Sequence, residues 1–372
     1  MYRSDSFSSA SQKIPEIEGL RTLAITMVLA YHFFARWTPP IFSQTTYPYR
    51  IEIARQVSQF GYLGVQLFFM VSGFVILKSL ENQKNLRSFA LARVKRIFPS
   101  LWIAIPVIFV VCNALNQSFI APIPLSSLLP SLTVLGPDFL NRLFSTNFTW
   151  TTGVLWSLFI EVQFYLVASV LFFKFKKFQF NSKLFVFALS IQLIRVILAL
   201  ISTESKEIFD DLLPLNKEIW WFLAGSIYYS LHSQRKNPYL KSILSVSILF
   251  NLLLVNLESS GFEIKPIASL IVFIFYLLFY LIISKSKKIR ILRSSIFVWL
   301  GGLSYEFYLV HESLGVSALS KFNQIQGLAY NLKLSLLFLI LVISGLLLIS
   351  VLIQKLAKKF LHLNKRISPS GD

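Results

Sequence analysis

Apolar residues run along the chain in blocks of roughly twenty, separated by short polar stretches in which lysine and arginine are concentrated. A hydrocarbon core about 30 Å thick needs about 20 apolar residues per helix. The blocks therefore predict ten spanning segments, at residues 20–37, 61–80, 97–115, 155–174, 183–201, 217–231, 239–257, 266–284, 295–314 and 329–354. The sixth is short and opens on "EIWWFLAG", an interfacial aromatic anchor. An eleventh apolar run, "PLSSLLPSLTVLG" (124–136), is too short and too proline-broken to cross, and reads as a re-entrant or interfacial segment. The expected fold is an all-α polytopic membrane protein of about ten transmembrane helices with one such segment.

The placement of charge supplies the orientation. With the N terminus in the cytoplasm, the segments on that side carry 23 Lys and Arg, against six on the other. A positive-inside bias of this size puts both termini in the cytoplasm. Counting 124–136 as a full span would move the later basic clusters to the wrong face. Residues 116–154 are therefore expected outside, and their irregular sequence suits the wall of an acceptor site. The formal net charge of +19 is then a topology signal and an affinity for anionic lipid head groups, so the lipid bilayer is a partner and nucleic acid is not. The chain is 55% hydrophobic and 14% charged, which excludes an ordinary soluble domain. It divides into an N-terminal cytoplasmic tail (1–19), one integral-membrane domain (20–354) and a basic C-terminal cytoplasmic tail (355–372), both tails expected to be mobile. Its single cysteine, Cys112, allows no intramolecular disulfide and no zinc site. The first apolar run begins after about twenty polar residues and lacks a small-x-small cleavage site, so it is expected to stay in the mature protein.

Against this apolar background, ionisable groups inside the spans are functional candidates, because a bilayer penalises them. Arg21 and His32 lie eleven residues apart, which brings them within about 20° on one helix face and about 16 Å apart along the axis. An arginine at the cytoplasmic mouth can hold a phosphate with two parallel hydrogen bonds, or it can snorkel to the head groups. A buried histidine offers a ring nitrogen to accept a proton, or it ties two helices together. In "LWSLFIEVQFYL" (155–166), Ser157, Glu161 and Tyr165 form one stripe. An acid there could orient a histidine, bind a cation, or stay protonated against a neighbouring helix. In "GGLSYEFYLVHES" (301–313), Ser304, Tyr308 and His311 share a face, as a polar lining or as interfacial anchors, while Glu306 and Arg195 have no assignment. "RSFALARVKRIFPSLW" (87–102) sets Arg87, Arg93, Lys95 and Arg96 just before the third span, either as a positive-inside stop or as an anion-binding mouth, with Pro99 at the helix start. Gly61, Gly64, Ser72 and Gly73 in the second span allow close helix packing or leave room for a bound chain.

Taken in this order, "EGLRTLA…YHFF", "GYLGVQLFFMVSGF", "ARVKRIFPSLW", "LWSLFIEVQFYL" and "LSYEFYLVH" resemble the acyltransferase type 3 family of integral-membrane acyltransferases, over residues 15–314. The resemblance implies transfer of an acyl group, typically acetyl, from cytoplasmic acyl-CoA to a hydroxyl of a cell-envelope polysaccharide such as O-antigen, capsule or exopolysaccharide, free or lipid-linked. It implies a multi-pass protein of the bacterial inner membrane, with acetyl-CoA or another acyl-CoA as donor and no metal. His32 is then the catalytic base and Arg21, Arg93 and Arg96 are donor contacts. Glu161 is placed with His32 as catalytic, and Ser157, Tyr165, Ser304, Tyr308 and His311 are expected to line the acceptor site or a pore. Some members carry an appended esterase-like domain; none follows here before residue 372, and its contribution is expected to be absent or to come from another protein. Three rival readings stay open: a proton-coupled transporter, the same fold using succinyl or a longer acyl donor, and a non-catalytic scaffold. Direct transfer and an acyl-histidine intermediate both fit the residues.

Overall fold

A computed structural model describes residues 14–37, 52–115, 122–235, 237–258, 261–262, 264–326 and 331–367. Among them the regular structure is helical, apart from one antiparallel hairpin of two-residue strands, Leu257–Glu258 against Gly261–Phe262. In chain order the helices are α1 (Pro15–Tyr31), α2 (Glu52–Ser58), α3 (Gly64–Glu81), α4 (Leu86–Leu115), α5 (Leu128–Thr133), α6 (Pro137–Phe144) and α7 (Leu155–Lys174). They continue as α8 (Phe180–Ile201), α9 (Thr203–Leu212), α10 (Leu215–His232), α11 (Leu240–Val255), α12 (Pro266–Ile283), α13 (Ser295–Gln326) and α14 (Leu332–Ile367). Each of the ten apolar segments is carried by a long helix.

By length and composition alone, six helical stretches among the described residues can cross a membrane: 53–81, 86–115, 155–174, 177–201, 266–283 and 332–362. The remaining apolar segments fall short for identifiable reasons. α11 has 16 residues. α1, α10 and α13 give up apolar positions to Arg21, to Lys217 and Glu218, and to His311 and Glu312.

Four boundaries differ from the sequence reading, among them the end of α13, which runs to Gln326, twelve residues past the expected 314. α4 begins at Leu86, so Arg93, Lys95 and Arg96 lie on the helix and not ahead of it, and Pro99 is an interior residue along with Pro106. Each of these prolines removes one helix hydrogen bond; packing against α13, α14 and α7 carries the helix through both. α1 begins at Pro15, within the expected N-terminal tail, because Glu16 pairs with Arg293 at 2.7 Å and Glu18 is buried. α14 runs to Ile367, so residues 355–367 of the expected C-terminal tail are helical. Residues 1–13 and 368–372 lie outside the described residues, as do most of 38–60 and residues 116–121.

The run at 124–136 does not span. It forms a single 3₁₀ turn and the six-residue α5, about 9 Å of helix, and ends at Val134 in the left-handed region (φ 58°). Ser131 Oγ accepts from the Thr151 amide at 2.8 Å, Ser127 shares a 3.0 Å hydrogen bond with Thr151, and Trp102 donates to the Leu132 carbonyl at 3.1 Å. The segment is thereby fastened between α4 and the strand-like approach to α7.

α3 is the centre of the molecule, with α1 on one side and α10 on the other. The glycines of "GYLGVQLFFMVSGF" serve this packing. A Cβ on Gly61 or Gly64 would collide with the carbonyls of Met27 or Ala24, and one on Gly73 with that of Phe222; Gly225 of α10 meets Met70 in the same way. α13 packs along α1, and α4 and α7 close the remaining sides. Arg21, Ser72, Glu161, Tyr165, Ser304 and Tyr308 line the space so enclosed.

Candidate active site

Three cavities succeed one another through this space. The first is a basic mouth lined by Glu18, Arg21, Lys78, Ser79, Arg93 and Arg96. Arg21 and Arg96 also line the second, an inner chamber bounded by Ser72, Ser157, Glu161, Tyr165, Ser304, Tyr305 and Tyr308. Val65 and Tyr308 are shared between that chamber and a third cavity, which holds Tyr31, His32, Arg36, Gly153 and Glu312. Arg21 and His32 thus stand at the two ends of one path, as their spacing on α1 requires.

At the inner end, the arginines differ in what already holds them. Arg21 is paired three residues back with Glu18, at 3.0 Å to one carboxylate oxygen and 3.1 Å to the other. Arg93 donates to Ser79 Oγ at 3.0 Å and lies 5.4 Å from the Phe89 ring centroid and 5.9 Å from that of Tyr165. Arg96 lines both cavities and forms no ion pair or hydrogen bond with another described residue, so its guanidinium donors face open space. Lys95, from the same cluster, lines an adjoining crevice between α4, α13 and α14 that Arg96 and Tyr305 also line, and Arg87 is exposed.

Glu161 takes hydrogen bonds from Ser72 at 2.6 Å and from Tyr165, its neighbour one helical turn on, at 2.5 Å. It sits within electrostatic reach of Arg21 and Arg93. Its described hydrogen bonds run to Ser72 and Tyr165 and to neither histidine. Ser304 donates to the Gly301 carbonyl at 2.7 Å and lines the same chamber. Ser157 and Tyr308, predicted on separate stripes, meet across α7 and α13 with their oxygens 2.8 Å apart. This bond lies where the inner and outer cavities adjoin.

At the outer end, α1 opens into a π-helical turn that begins at His32, a local widening often found at functional sites. The His32 ring is 2.9 Å from His311, Nδ1 to Nε2. His311 Nδ1 is 2.8 Å from the Tyr308 carbonyl. A carbonyl only accepts, so this nitrogen carries the His311 proton. The neutral ring then presents a lone pair at Nε2, and His32 Nδ1 must donate to it. His32 is left with its lone pair at Nε2, which lies 3.3 Å from Glu312 Oε1 on the side of the outer cavity. The Tyr308 carbonyl thus sets the His311 tautomer and the proton on His32 Nδ1, while His32 Nε2 and Glu312 Oε1 hold one proton between them.

Glu312 was not singled out in the sequence, although it stands four residues beyond Tyr308 and eight beyond Ser304 on the same stripe. Its carboxylate packs so closely on Gly153 that a Cβ there would lie 3.1 Å from Oε2. Glu306 lies in the crevice shared with Arg96 and Tyr305 and accepts from Ser100 at 2.9 Å. Arg195 is held at 2.8 and 3.1 Å by Asp210 of α9. Cys112 is buried as a free thiol beside Ser317.

A chain of neutral histidines set between a basic mouth and an outer cavity matches the residues on which the family resemblance was drawn. The family model described as "Acyltransferase domain" matches residues 14–355. The chain belongs to the acyltransferase type 3 family. Curated relatives include the peptidoglycan O-acetyltransferase OatA of Listeria monocytogenes, 28% identical over 46% of this chain and 26% of that protein. The O-acetyltransferase OatA of Staphylococcus aureus is 25% identical over 53% of this chain and 31% of its own length. The matched region therefore spans about a quarter to a third of these relatives. No solved structure matches the chain.

Proposed function

We propose that this protein is a multi-pass membrane O-acyltransferase that moves an acetyl group from cytoplasmic acetyl-CoA to a hydroxyl of a cell-envelope glycan, in a bacterial inner membrane with both termini in the cytoplasm. The observation that carries the reading is the His311–His32–Glu312 chain at the outer end of a path whose inner end is lined by Arg21, Arg93 and Arg96. Membership of the acyltransferase family and the relatives' names as O-acetyltransferases support it. The Listeria relative's name widens the acceptor classes to include peptidoglycan beside O-antigen, capsule and exopolysaccharide.

Arg96, with its donors uncommitted, takes the CoA phosphates at the mouth, and Arg21 and Arg93 add charge there. The slender acyl arm extends through the inner chamber toward Tyr308. In the outer cavity an acceptor hydroxyl reaches His32 Nε2. His32 removes its proton as the oxygen bonds to the thioester carbonyl carbon, the C–S bond breaks, and the same proton passes to the departing thiolate. Positioned general-base catalysis of this kind contributes about 10²–10⁴-fold. His311 holds the ring in the tautomer that leaves Nε2 free, and Glu312 lies beside the imidazolium that forms. The donor site and the acceptor site then open on opposite sides, which suits a cytoplasmic donor and an external glycan.

Mass spectrometry of envelope glycans from cells lacking the protein, complemented with wild type or His32→Ala at matched membrane levels, tests the reading. Restoration of a base-labile acetyl group by wild type alone is the expected result. Restoration by both makes His32 structural and ends the mechanism; no change in any glycan with either brings the transporter reading forward.

A further inference from the structure

Beside the outer cavity lies a second, wider one that the donor path does not use, formed by α9 and the adjoining ends of α8, α10 and α11. The two share Tyr31, Tyr62 and Gln66, so the wider cavity opens next to His32. Four basic side chains line it, Arg195, Lys206, Lys217 and Lys265, against two acidic ones, Asp210 and Glu218. Asp210 is 5% exposed and serves three of those cations at once: Arg195 at 2.8 Å, Lys217 at 3.2 Å and Lys206 at 3.9 Å. One carboxylate cannot neutralise three cations. The Lys206 and Lys217 side chains remain 33% and 48% exposed, which leaves their ammonium groups able to meet a second anion.

Two other features point to a polar ring beside that anion. The Tyr31 and Tyr62 rings meet edge to face with centroids 5.8 Å apart, and both line the passage between the cavities. Their faces and hydroxyls give an apolar wall with a polar rim, the surface that an aromatic corner offers to a sugar. Gln66 Oε1 is buried in the same passage and has no hydrogen-bond partner among the described residues. A buried acceptor left unsatisfied is costly, and a sugar hydroxyl would satisfy it.

We propose that this cavity binds an anionic group of the acceptor glycan, either a carboxylate on a uronic-acid-type sugar or the diphosphate of a lipid-linked saccharide, and lays the sugar across Tyr31 and Tyr62 with a hydroxyl toward His32. The assignment of the ligand as the acceptor rests on the acyltransferase reading above, whereas the anion site itself does not. The experiment is equilibrium binding to the full chain in nanodiscs of zwitterionic lipid. Three probes are compared: cellobiose, the acidic disaccharide cellobiouronic acid, and a polyprenyl-diphosphate-linked cellobiose. One or both anionic probes should bind at least about 10-fold more tightly than cellobiose, and Lys206→Gln/Lys217→Gln should erase the difference. Preference for the acidic disaccharide assigns a carboxylate on the sugar; preference confined to the polyprenyl probe assigns the diphosphate. If neither anionic probe outbinds cellobiose, or if the double variant binds as wild type does, the site is refuted. Acetyl-CoA turnover by wild type and His32→Ala, measured on the same preparations, reports separately on the catalytic reading, so the two can fail independently.

Discussion

The inner and outer halves of the polar core handle buried polar groups by opposite means. The inner half keeps formal charge and balances it: Glu18 against Arg21, the Phe89 and Tyr165 rings against Arg93, and Glu161 near the arginines, with Ser72 and Tyr165 donating to it. The outer half is ordered by a relay, in which one carbonyl sets the ring protons of two histidines in succession beside Glu312 and Arg36. A balanced set of charges suits a site that must recognise an anion. A hydrogen-bonded relay suits one that must take up a proton and give it back. The difference teaches that two sites on one helix, Arg21 and His32, have been given separate electrostatic environments.

Substitutions at the two ends should therefore fail differently. His32→Ala removes the proton acceptor, and transfer to the glycan should fall by about 10²–10⁴-fold while binding of acetyl-CoA is retained. Calorimetry with the intact protein measures the second point, and lost CoA binding would break the separation. Glu312→Gln keeps a hydrogen-bonding group beside His32 and removes its charge, so kcat should drop by about 10- to 100-fold with KM for acetyl-CoA unchanged, the scale of one hydrogen bond to a charged group. An equal change in KM would tie the two halves together. Arg96→Ala should do the reverse, raising KM for acetyl-CoA by about 10-fold through one lost charge-assisted contact. If kcat falls and KM stays, Arg96 belongs to the chemistry and the comparison dissolves.

The smallest effect is expected away from both halves, at α9. Burial works against the charge of Asp210, but the paired hydrogen bonds from Arg195, with Lys217, outweigh it and hold the carboxyl below its ordinary range. A depressed carboxyl stabilises the folded state at pH above the unfolded value of about 4, and that stabilisation is lost as pH falls through the folded value. Protection of α9 amides from hydrogen exchange, corrected for intrinsic rates, should be flat from pH 7 to about 5 and decline below about 4. A decline already at neutral pH would assign the protection to another group.

The parts of the site legible in the sequence are those set by spacing along one helix. An eleven-residue separation between Arg21 and His32 puts them on one face, and the stripes of α7 and α13 brought Ser157, Tyr165, Ser304, Tyr308 and His311 forward. Glu18 and Glu312 lay within reach of the same arithmetic, three residues before Arg21 and four after Tyr308, and were missed because acids beside a charged neighbour look like ordinary polarity. The pairing of Arg195 with Asp210 had no such signal. It joins α8 to α9 through a turn whose geometry no periodicity records. The placement of Pro99 misled for a related reason: proline favours a helix start in isolation, and only the packing of α4 against three neighbours shows why the helix passes through it.

The Ser157–Tyr308 bond is where the inner and outer cavities adjoin. In an energised membrane, much of the transmembrane voltage falls across whatever separates two water-filled vestibules, about 2.3 kcal/mol for each elementary charge per 100 mV. The Ser157–Tyr308 pair, with Val65 beside it, therefore bears on insulation as well as on the shape of the cavities. On the reading proposed above, an uncharged acyl group crosses here while the highly charged carrier stays on its own side.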